Sequence, residues 1–333
     1  MKLHMWGTRG SLPRAIDHKT FVNLVDKYAK DAEKAGLSTI SEFRNAIRDG
    51  DLSTPLVYGG NTTCNEIHHK NSRIFVDMGT GFADASSEVM AQGRTEFHIF
   101  LTHLHWDHIM GMPFFVPLYI PGTKITIYHV HPHAPEYVRI QFNGINFPVK
   151  WAKLGASIEF KQIKPYVPIS FDGLTITPFS LDHPGGSFGY RFDAEGCSLA
   201  IGVDGEYKRF TRSDLDRDLP FYQNLDVLVF DGQYEMDELA SRYDWGHCSP
   251  PIGVELALRE GIRNIIMTHH DPRASEDKER SMLTEAIDYR STKLAGYKAI
   301  WQDLKQPEGP NILLAYDGME FDLKKLTIRD QLK

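Results

Sequence analysis

The 333-residue chain has few cysteines, no long apolar run and no excess of basic residues. Its three cysteines, Cys64, Cys197 and Cys248, are odd in number and far apart, so no disulfide framework is indicated. No stretch approaches the about 18 apolar residues that a membrane span requires. The opening MKLHMWGTRGSLPR lacks the apolar core and cleavage site of a signal peptide. We therefore expect a cytoplasmic protein that does not associate with membranes.

The charge balance also narrows the range of partners. The formal net charge is -7, whereas a broad nucleic-acid surface usually requires an excess of Lys and Arg. A local basic groove stays compatible with this balance. With 41% hydrophobic and 24% charged residues, the composition is typical of a globular protein with a sizeable core.

The order of strand-like and helix-like segments predicts the fold class. From Tyr58 onward, strand-like runs such as SRIFVDMGTG, EFHIFLTH and SLAIGVDG dominate, and many follow one another directly. A doubly wound parallel sheet would need a helix after nearly every strand. Two strand-rich halves, each with helices, instead predict an α/β protein with a four-layer α/β/β/α sandwich. We expect a single domain that spans residues 1–333.

Two segments depart from this strand-rich pattern. Residues 17–51 are charged and carry apolar residues at helical spacing, which predicts a helical insertion in the domain. Residues 131–165 are irregular and aromatic-rich, which suggests a long loop or a small helix pair. Phe142, Phe147 and Trp151 in this segment could either stack on a base or pack in the core.

Ligand-type side chains are densest in the stretch LTHLHWDHIMGMPFF, which begins at residue 101. His103 and His105 lie two positions apart, so on an extended segment they project to the same side and can bind one ion. Asp107 and His108 follow where the strand ends and can reach a second ion. We expect Trp106, between them, to pack beneath the ligands. Four ligand-type residues at this density favour a metal site over hydrogen-bonded polar residues at a strand end.

Three more ligand-type residues follow apolar, strand-like runs elsewhere in the chain. His183 follows TITPFSLD, Asp204 follows SLAIGV, and His269 follows NIIMT, with His270 beside it as an alternative. Strand ends deliver side chains to a common edge of a sheet. The seven residues together comprise five His and two Asp, enough for two ions with open positions for water and substrate. Zn²⁺ suits these ligands, and Mn²⁺ or Fe²⁺ are alternatives.

The pattern H-x-H-x-D-H, followed by a distant His, a distant Asp and a final His, resembles the metallo-β-lactamase superfamily of binuclear hydrolases. The resemblance extends from GTRGSLP to AYDGMEF and implies two divalent metal ions. It assigns the first ion to His103, His105 and His183. It assigns the second ion to Asp107, His108 and His269, with Asp204 bridging the two.

Within that superfamily, YGGNTTCNEI, VDMGTG, HWDHIMGMPFF and HPGGSFGYR resemble the branch that includes ribonuclease Z and cyclic-nucleotide phosphodiesterases. The resemblance makes His247, in WGHCSP, a candidate proton donor to the leaving alkoxide, held by Asp231 in LVFDGQY. The alternative is that this pair only orients a metal ligand. Asp107 would also orient the attacking hydroxide. Asn61 and Thr62 are candidates for lining the substrate site.

These resemblances imply a binuclear phosphodiesterase that acts by attack of a metal-activated hydroxide. The acidic net charge and the lack of a basic projecting arm favour a small phosphodiester, a 3',5'-cyclic nucleotide first, over a nucleic acid. The alternatives are a ribonuclease Z-like RNA endonuclease, a lactone or carboxyl-ester hydrolase, and a metal-bound sensor without turnover. The helical insertion could cover the pocket or form a homodimer interface.

Overall fold

The computed structural model describes residues 1–49, 57–209, 211–300 and 308–329, whose strands form two mixed sheets of eight and seven strands. In the first sheet β1 is antiparallel to both of its neighbours, and the four strands from β3 to β6 run parallel. The strands of the first sheet, in spatial order, are β15 (Thr327–Arg329), β14 (Met319–Asp322), β1 (Lys2–Gly7), β2 (Cys64–His69), β3 (Ser72–Val76), β4 (Glu96–Leu101), β5 (Lys124–His129) and β6 (Ser157–Gln162).

The second sheet has the same mixture of antiparallel and parallel pairs. Its strands, in spatial order, are β13 (Asn311–Leu314), β12 (Asn264–Thr268), β11 (Val227–Asp231), β10 (Cys197–Gly202), β9 (Ser187–Ala194), β8 (Leu174–Leu181) and β7 (Ile169–Phe171). Strands β10 to β13 are parallel, while β7 to β10 alternate in direction. The carboxyl ends of the parallel strands therefore meet at one edge, where ligands bind in open α/β sheets.

The helices of the described residues differ widely in length, and three of them have six residues or fewer. The helices are α1 (His18–Lys34), α2 (Ile40–Asp49), α3 (Thr80–Ala91), α4 (Trp106–Ile109), α5 (Ala134–Arg139), α6 (Arg212–Leu215), α7 (Pro250–Glu260) and α8 (Glu276–Ile300). Helix α7 has Pro250 and Pro251 in its first turn and ends at Gly261, whose φ of +72° suits a left-handed cap. Within the described ranges, no helix combines the length and apolar character that a membrane span needs.

The period-two pattern of the strands builds the core between the sheets. Leu3 and Met5 of β1 point into it together with Ile67 of β2, and they meet Leu199 and Val229 of the second sheet. The intervening residues of β1 face the opposite side, toward the helices. Two more apolar clusters lie outside this central core, one around α3 and one around α7 and α8. Helices thus cover both outer faces, and the predicted four-layer α/β/β/α sandwich is confirmed.

The helical layer over the first sheet is held by aromatic packing. Phe82 of α3 stacks on Phe115 with ring centroids 3.9 Å apart, and both rings contact Phe75 of β3. Phe97 of β4 completes the group, 5.2 Å from Phe115. Phe115 is therefore a core residue that anchors the segment carrying the densest ligand motif.

The prediction for residues 131–165 was wrong in part. The segment contains α5, but it also contains β6, the parallel edge strand of the first sheet. β6 carries Glu and Lys and has no fully buried residue, so its short mixed pattern resembles a loop. Phe142 is buried and its ring lies 5.5 Å from that of Trp151, which favours core packing over base stacking.

Strands β13 and β14, each of four residues, are neighbours in the chain but do not pair with each other. NILL and MEFD lie close together in sequence, yet β13 pairs with β12 in the second sheet and β14 pairs with β1 in the first. The segment between them crosses from one sheet to the other. Because β14 and β1 lie near opposite ends of the chain, their pairing is decided by tertiary packing and not by the local sequence.

Residues 17–51 contain the expected helices. Asp17 caps α1 by accepting a hydrogen bond from the Thr20 amide at 2.7 Å. Ahead of α2, Thr39 and Glu42 exchange the two hydrogen bonds of a capping box. The end of the predicted segment, residues 50 and 51, lies outside the described residues. The single domain over 1–333 and the status of this segment as an insertion stay predictions.

The neighbours Phe114 and Phe115 provide a matched test of this packing. Phe115 is fully buried, whereas Phe114 is 62% exposed. We expect Phe115→Ala to lower the free energy of unfolding by about 3–5 kcal/mol, the usual cost of a large aromatic cavity. Phe114→Ala should cost less than about 1 kcal/mol. Urea unfolding followed by circular dichroism measures both, and equal losses would contradict the assigned core.

Candidate metal centre

Three residues with acidic or imidazole side chains follow the ends of strands in a strained backbone conformation. Asp77 follows β3, Asp204 follows β10 and His269 follows β12, with φ values of +67°, +60° and +63°. Non-glycine residues adopt this left-handed conformation at a cost, and such residues cluster at functional sites. The strained positions at these strand ends therefore mark this edge of the sandwich as a functional site.

The first group of ligand-type side chains is His103, His105 and His183. The Nε2 atom of His183 lies 3.1 Å from the Nδ1 atom of His105, and the His103 ring is 4.4 Å from that of His105 and 4.8 Å from that of His183. His103 is buried whereas His105 is exposed. This group can hold one ion on the solvent side of the centre.

The second group is Asp107, His108 and His269, all of them buried. The Oδ2 atom of Asp107 lies 3.3 Å from the Nε2 atom of His108 and 3.3 Å from the Nε2 atom of His269. The same oxygen accepts a hydrogen bond from the backbone amide of Ser11 at 2.8 Å. The three ligand atoms converge from both sheets on one point.

Asp204 lies between the two groups. Its Oδ2 atom is 2.8 Å from the Nε2 atom of His108 and 3.2 Å from that of His269. Its Oδ1 atom is 3.9 Å from the Nε2 atom of His183. Each oxygen therefore faces a different group, which is the geometry that a bridging carboxylate needs.

The ligand atoms that lack hydrogen-bond partners fit a site for two divalent ions. Four buried ligand atoms have no hydrogen-bond partner among the described residues: the Nε2 atoms of His103, His108 and His269, and Oδ2 of Asp204. His108 Nε2 and Asp204 Oδ2 lie 2.8 Å apart, yet both are among these atoms without a hydrogen bond. Buried polar atoms without partners are rare and require an explanation, and imidazole and carboxylate donors of this kind bind Zn²⁺ readily.

The two groups of ligands differ in the protonation of their imidazoles. Burial, reinforced by His108, lowers the pKa of His103 well below its usual value, and burial also lowers the pKa of His105 and of His183. Burial alone would lower the pKa of His269 too, but Asp204 and then Asp107 raise it to about 9. In the first group the imidazoles are therefore neutral at pH 7, the form that binds a metal.

Around Asp204, carboxylates and imidazoles stabilise each other's charge and shift the pKa values of both. Burial would raise the pKa of Asp204, but His269 and His108 hold it well below its usual value. Burial opposes charge on His108 as well, yet Asp204, Asp107 and Asp77 raise its pKa well above the ordinary range. Without a metal ion, protons on the imidazoles compensate the carboxylate charge.

Sequence reasoning missed two supports of these side chains. Asp77 Oδ2 lies 2.8 Å from His108 Nδ1, and it also accepts a hydrogen bond from the Thr102 hydroxyl at 2.8 Å. Nδ1 of His183 lies 3.0 Å from the Gly246 carbonyl oxygen. These contacts orient each ring so that Nε2 faces the centre. The signal for Asp77 was its place directly after the apolar run RIFV, whereas a backbone carbonyl leaves no sequence signal.

The structure places His269 in the centre and His270 outside it. Nε2 of His270 lies 2.8 Å from the Ala315 carbonyl oxygen, and its Nδ1 atom lies 2.9 Å from Oε2 of Glu279. Both of its ring nitrogens therefore face groups remote from the ligand atoms. This geometry favours the choice of His269 as the ligand.

Asp231 and His247 form a buried pair beside the centre. Nδ1 of His247 lies 2.9 Å from Oδ2 of Asp231, and the same oxygen accepts the backbone amide of Asp204 at 3.1 Å. The rings of His247 and His269 are 5.0 Å apart. The pair is thus next to the reacting region and linked to the bridging carboxylate. This geometry is compatible with a proton donor and also with an orienting role.

Asn61 and Thr62 precede β2 and lie against the start of α3, where both side chains have structural partners. Asn61 donates to Asp84 at 2.6 Å and accepts from the Thr80 hydroxyl at 3.0 Å. The hydroxyl of Thr62 is buried and accepts from the Thr80 amide at 2.8 Å. These bonds favour a structural role, and the substrate-binding role stays a prediction.

Trp106 differs from the sequence expectation. The side chain is 79% exposed and does not pack beneath the ligands. Trp106 opens the short helix α4, whose inner side is occupied by Asp107, His108 and Ile109. Four residues cannot bury every side, so the tryptophan faces solvent at the rim of the centre.

Another group of ligand-type residues, His4, Glu66 and His68, lies on the outer face of the first sheet. Here Glu66 is already paired with the Arg73 guanidinium and accepts the Trp6 indole hydrogen bond at 2.8 Å. A buried carboxylate with these donors has no need of a cation. This group is an ion-pair network rather than a second metal site.

Comparison with known proteins agrees with this geometry. A family profile described as "Beta-lactamase superfamily domain" matches residues 72–270, a range that contains all seven residues of the centre. Ribonuclease Z from Listeria monocytogenes serovar 1/2a (strain ATCC BAA-679 / EGD-e) is 26% identical over 255 residues. That alignment covers 61% of this chain and 80% of the relative.

Solved structures share the fold at low sequence identity. The metallo-beta-lactamase fold protein YhfI from Bacillus subtilis superposes with a TM-score of 0.59 at 16% identity and covers 96% of this chain and 98% of its own. Unliganded yeast PDE1 gives a TM-score of 0.56 at 16% identity and covers 80% of this chain and 95% of its own. Both comparisons support the sandwich architecture.

The charge difference between the groups predicts how metal affinity depends on pH. With a pKa of about 9, His269 must lose a proton to bind a metal at pH 7, so protons compete with the ion at any pH below about 9. Because the pKa of His108 is also raised, we expect the affinity of the second group for Zn²⁺ to rise at least about tenfold per pH unit between pH 7 and 9, the slope for release of one proton per ion. The neutral imidazoles of the first group should change much less.

Competition with a chelating dye measures this pH dependence. The variant His183→Ala isolates the second group, and His269→Ala isolates the first. Equal pH slopes in the two variants would contradict the assignment of protons.

Proposed function

The chain belongs to the beta-lactamase superfamily, and we propose that it is a binuclear metal-dependent phosphodiesterase that hydrolyses a small phosphodiester, with a 3',5'-cyclic nucleotide favoured. One observation carries this proposal: two groups of convergent ligand atoms meet at Asp204 beside the buried pair of His247 and Asp231. The fold and the buried His and Asp clusters are those of a metal-dependent hydrolase.

Two divalent ions, when bound, would lower the pKa of a water molecule and stabilise charge on the phosphoryl oxygens. The chain's residues supply the remaining chemistry. Asp107, oriented by the Ser11 amide, aligns the attacking water and can accept its proton. His247 donates a proton from Nε2 to the leaving sugar oxygen, while Asp231 holds the Nδ1 side of the ring at 2.9 Å.

Two features support a small nucleotide as the substrate. The net charge of -7 disfavours the extended electrostatic contacts that a nucleic acid requires. Trp106 and Trp245, each next to a residue that contacts the centre, are 79% and 60% exposed. Exposed indole rings beside the centre provide surfaces on which a base can stack.

An RNA endonuclease is the second candidate, because relatives that match over 61% of this chain are ribonuclease Z proteins. It would bind its substrate through several phosphates, so its affinity would fall steeply as salt increases. A lactone or carboxyl-ester hydrolase is the third. In such an enzyme, departure of the leaving group would not require the pair of His247 and Asp231.

A substrate panel separates these candidates. Metal-loaded protein should hydrolyse 3',5'-cyclic nucleotides and bis(p-nitrophenyl) phosphate, with weak dependence of KM on salt. Pre-tRNA and a lactone should be poor substrates. Preferential cleavage of pre-tRNA, or lactone turnover without phosphodiester cleavage, would overturn the proposal.

Two substrates whose leaving groups differ in their need for a proton test the role of His247. His247→Gln should lower kcat for a cyclic nucleotide about 10²–10⁴-fold, since its alkoxide needs a proton. The loss on bis(p-nitrophenyl) phosphate should be much smaller, because p-nitrophenolate departs without one. His133→Gln, at an exposed histidine on the start of α5, is the control and should retain both activities. Equal losses on the two substrates would identify His247 as an orienting residue only.

A further inference from the structure

The segment that follows β1 links both sheets at the metal centre. Arg9 forms isolated bridges to Thr62, next to the first sheet, and to His270, next to the second. Its amide donates to the Asn61 carbonyl oxygen at 2.8 Å, and the Gly10 amide donates to the His270 carbonyl oxygen at 2.9 Å. The backbone of residues 8–10 therefore couples the positions of the two sheet edges.

The same segment contacts the second ligand group. A Cβ atom on Gly10 would lie 2.5 Å from Nδ1 of His269, so only glycine fits at this approach. Ser11 adopts a φ of +62° and its amide donates to Oδ2 of Asp107 at 2.8 Å. A displacement of this turn would move the amide away from the carboxylate and change the space beside His269.

The Arg9 side chain holds this segment in place from within the protein. It is fully buried. Nη1 donates to the Asp271 carbonyl oxygen at 2.7 Å and to Oε1 of Glu279 at 3.2 Å, and Nε donates to the Gly59 carbonyl oxygen at 3.2 Å. One guanidinium thus contacts the segment before β2, the segment after His270 and the helix α8.

Glu279 extends this network to the residue beside the ligand. Its Oε1 atom pairs with Arg9, and its Oε2 atom lies 2.9 Å from Nδ1 of His270. Both carboxylate oxygens are buried, and so is the guanidinium. A buried ion pair is weak evidence for stability, because desolvation offsets most of its attraction, so the pair of Arg9 and Glu279 points to a role other than stability.

We propose that Arg9 and Glu279 are positioning residues for the second metal group. Together they fix the turn at Gly10 and Ser11 against Asp107 and fix the strand end that carries His269. This inference rests on the metal centre proposed above. Neither residue touches the ligand atoms, and both act through the backbone of residues 8–11 and 269–271.

The test measures metal affinity in variants of the full chain. Glu279→Gln removes the charge and keeps the shape, and Arg9→Met combined with Glu279→Met removes both charges so that neither remains buried and unpaired. Zn²⁺ affinity is measured by competition with a chelating dye. The His183→Ala background isolates the second group, and the His269→Ala background isolates the first. We expect affinity about 10–100-fold weaker for the second group and unchanged for the first.

A neighbouring ion pair provides the matched control. Arg14 and Glu276 join the same segment to the first turn of α8, with Nη1 and Oε1 3.2 Å apart, but the Arg14 side chain is 21% exposed and donates to the Ala274 carbonyl oxygen rather than to the Asp271 carbonyl oxygen. Arg14→Met combined with Glu276→Met should leave both affinities unchanged. Thermal unfolding of every variant shows that the measurement is made on folded protein.

Two outcomes would overturn the positioning role: an unchanged affinity of the second group, or equal losses in both groups, which would indicate general loosening. Failure of the unmutated chain to bind two ions would instead refute the metal centre itself. The two failures are therefore distinguishable.

Discussion

The structure depends on one constraint: buried imidazole and carboxylate atoms converge on Asp204, and within the described ranges four of them have no hydrogen-bond partner. Such atoms are costly in a protein interior unless something satisfies them. A pair of divalent cations satisfies them and also neutralises the two carboxylates that protons otherwise compensate. The centre is thus a site where folding and cation binding are coupled.

The two-sheet architecture explains how this convergence arises. His103, Asp107 and His108 follow β4 of the first sheet, whereas Asp204 and His269 follow β10 and β12 of the second. Parallel strands deliver their carboxyl ends to one edge, and the apolar core between the sheets brings the two edges together. The backbone strain at Asp204 and His269 is the local cost of turning the side chains toward one point.

Much of this centre could be predicted from the sequence, because its ligands follow apolar runs or lie in one dense motif. The strand-after-strand pattern likewise predicted the sandwich. The sequence could not show that His270 contacts Glu279, that Ser11 donates an amide to Asp107, or that Arg9 spans both sheets, since each contact joins distant parts of the chain. β6 was missed because an edge strand exposes mixed polar residues, and Trp106 because one turn of helix cannot bury every side.

X-ray diffraction from Zn²⁺-loaded crystals, collected across the zinc absorption edge, tests the central claim most directly. The account predicts two anomalous peaks about 3.5–4 Å apart. One should lie among His103, His105 and His183, the other among Asp107, His108 and His269, with Asp204 between them. A single peak, or peaks away from Asp204, would contradict the account.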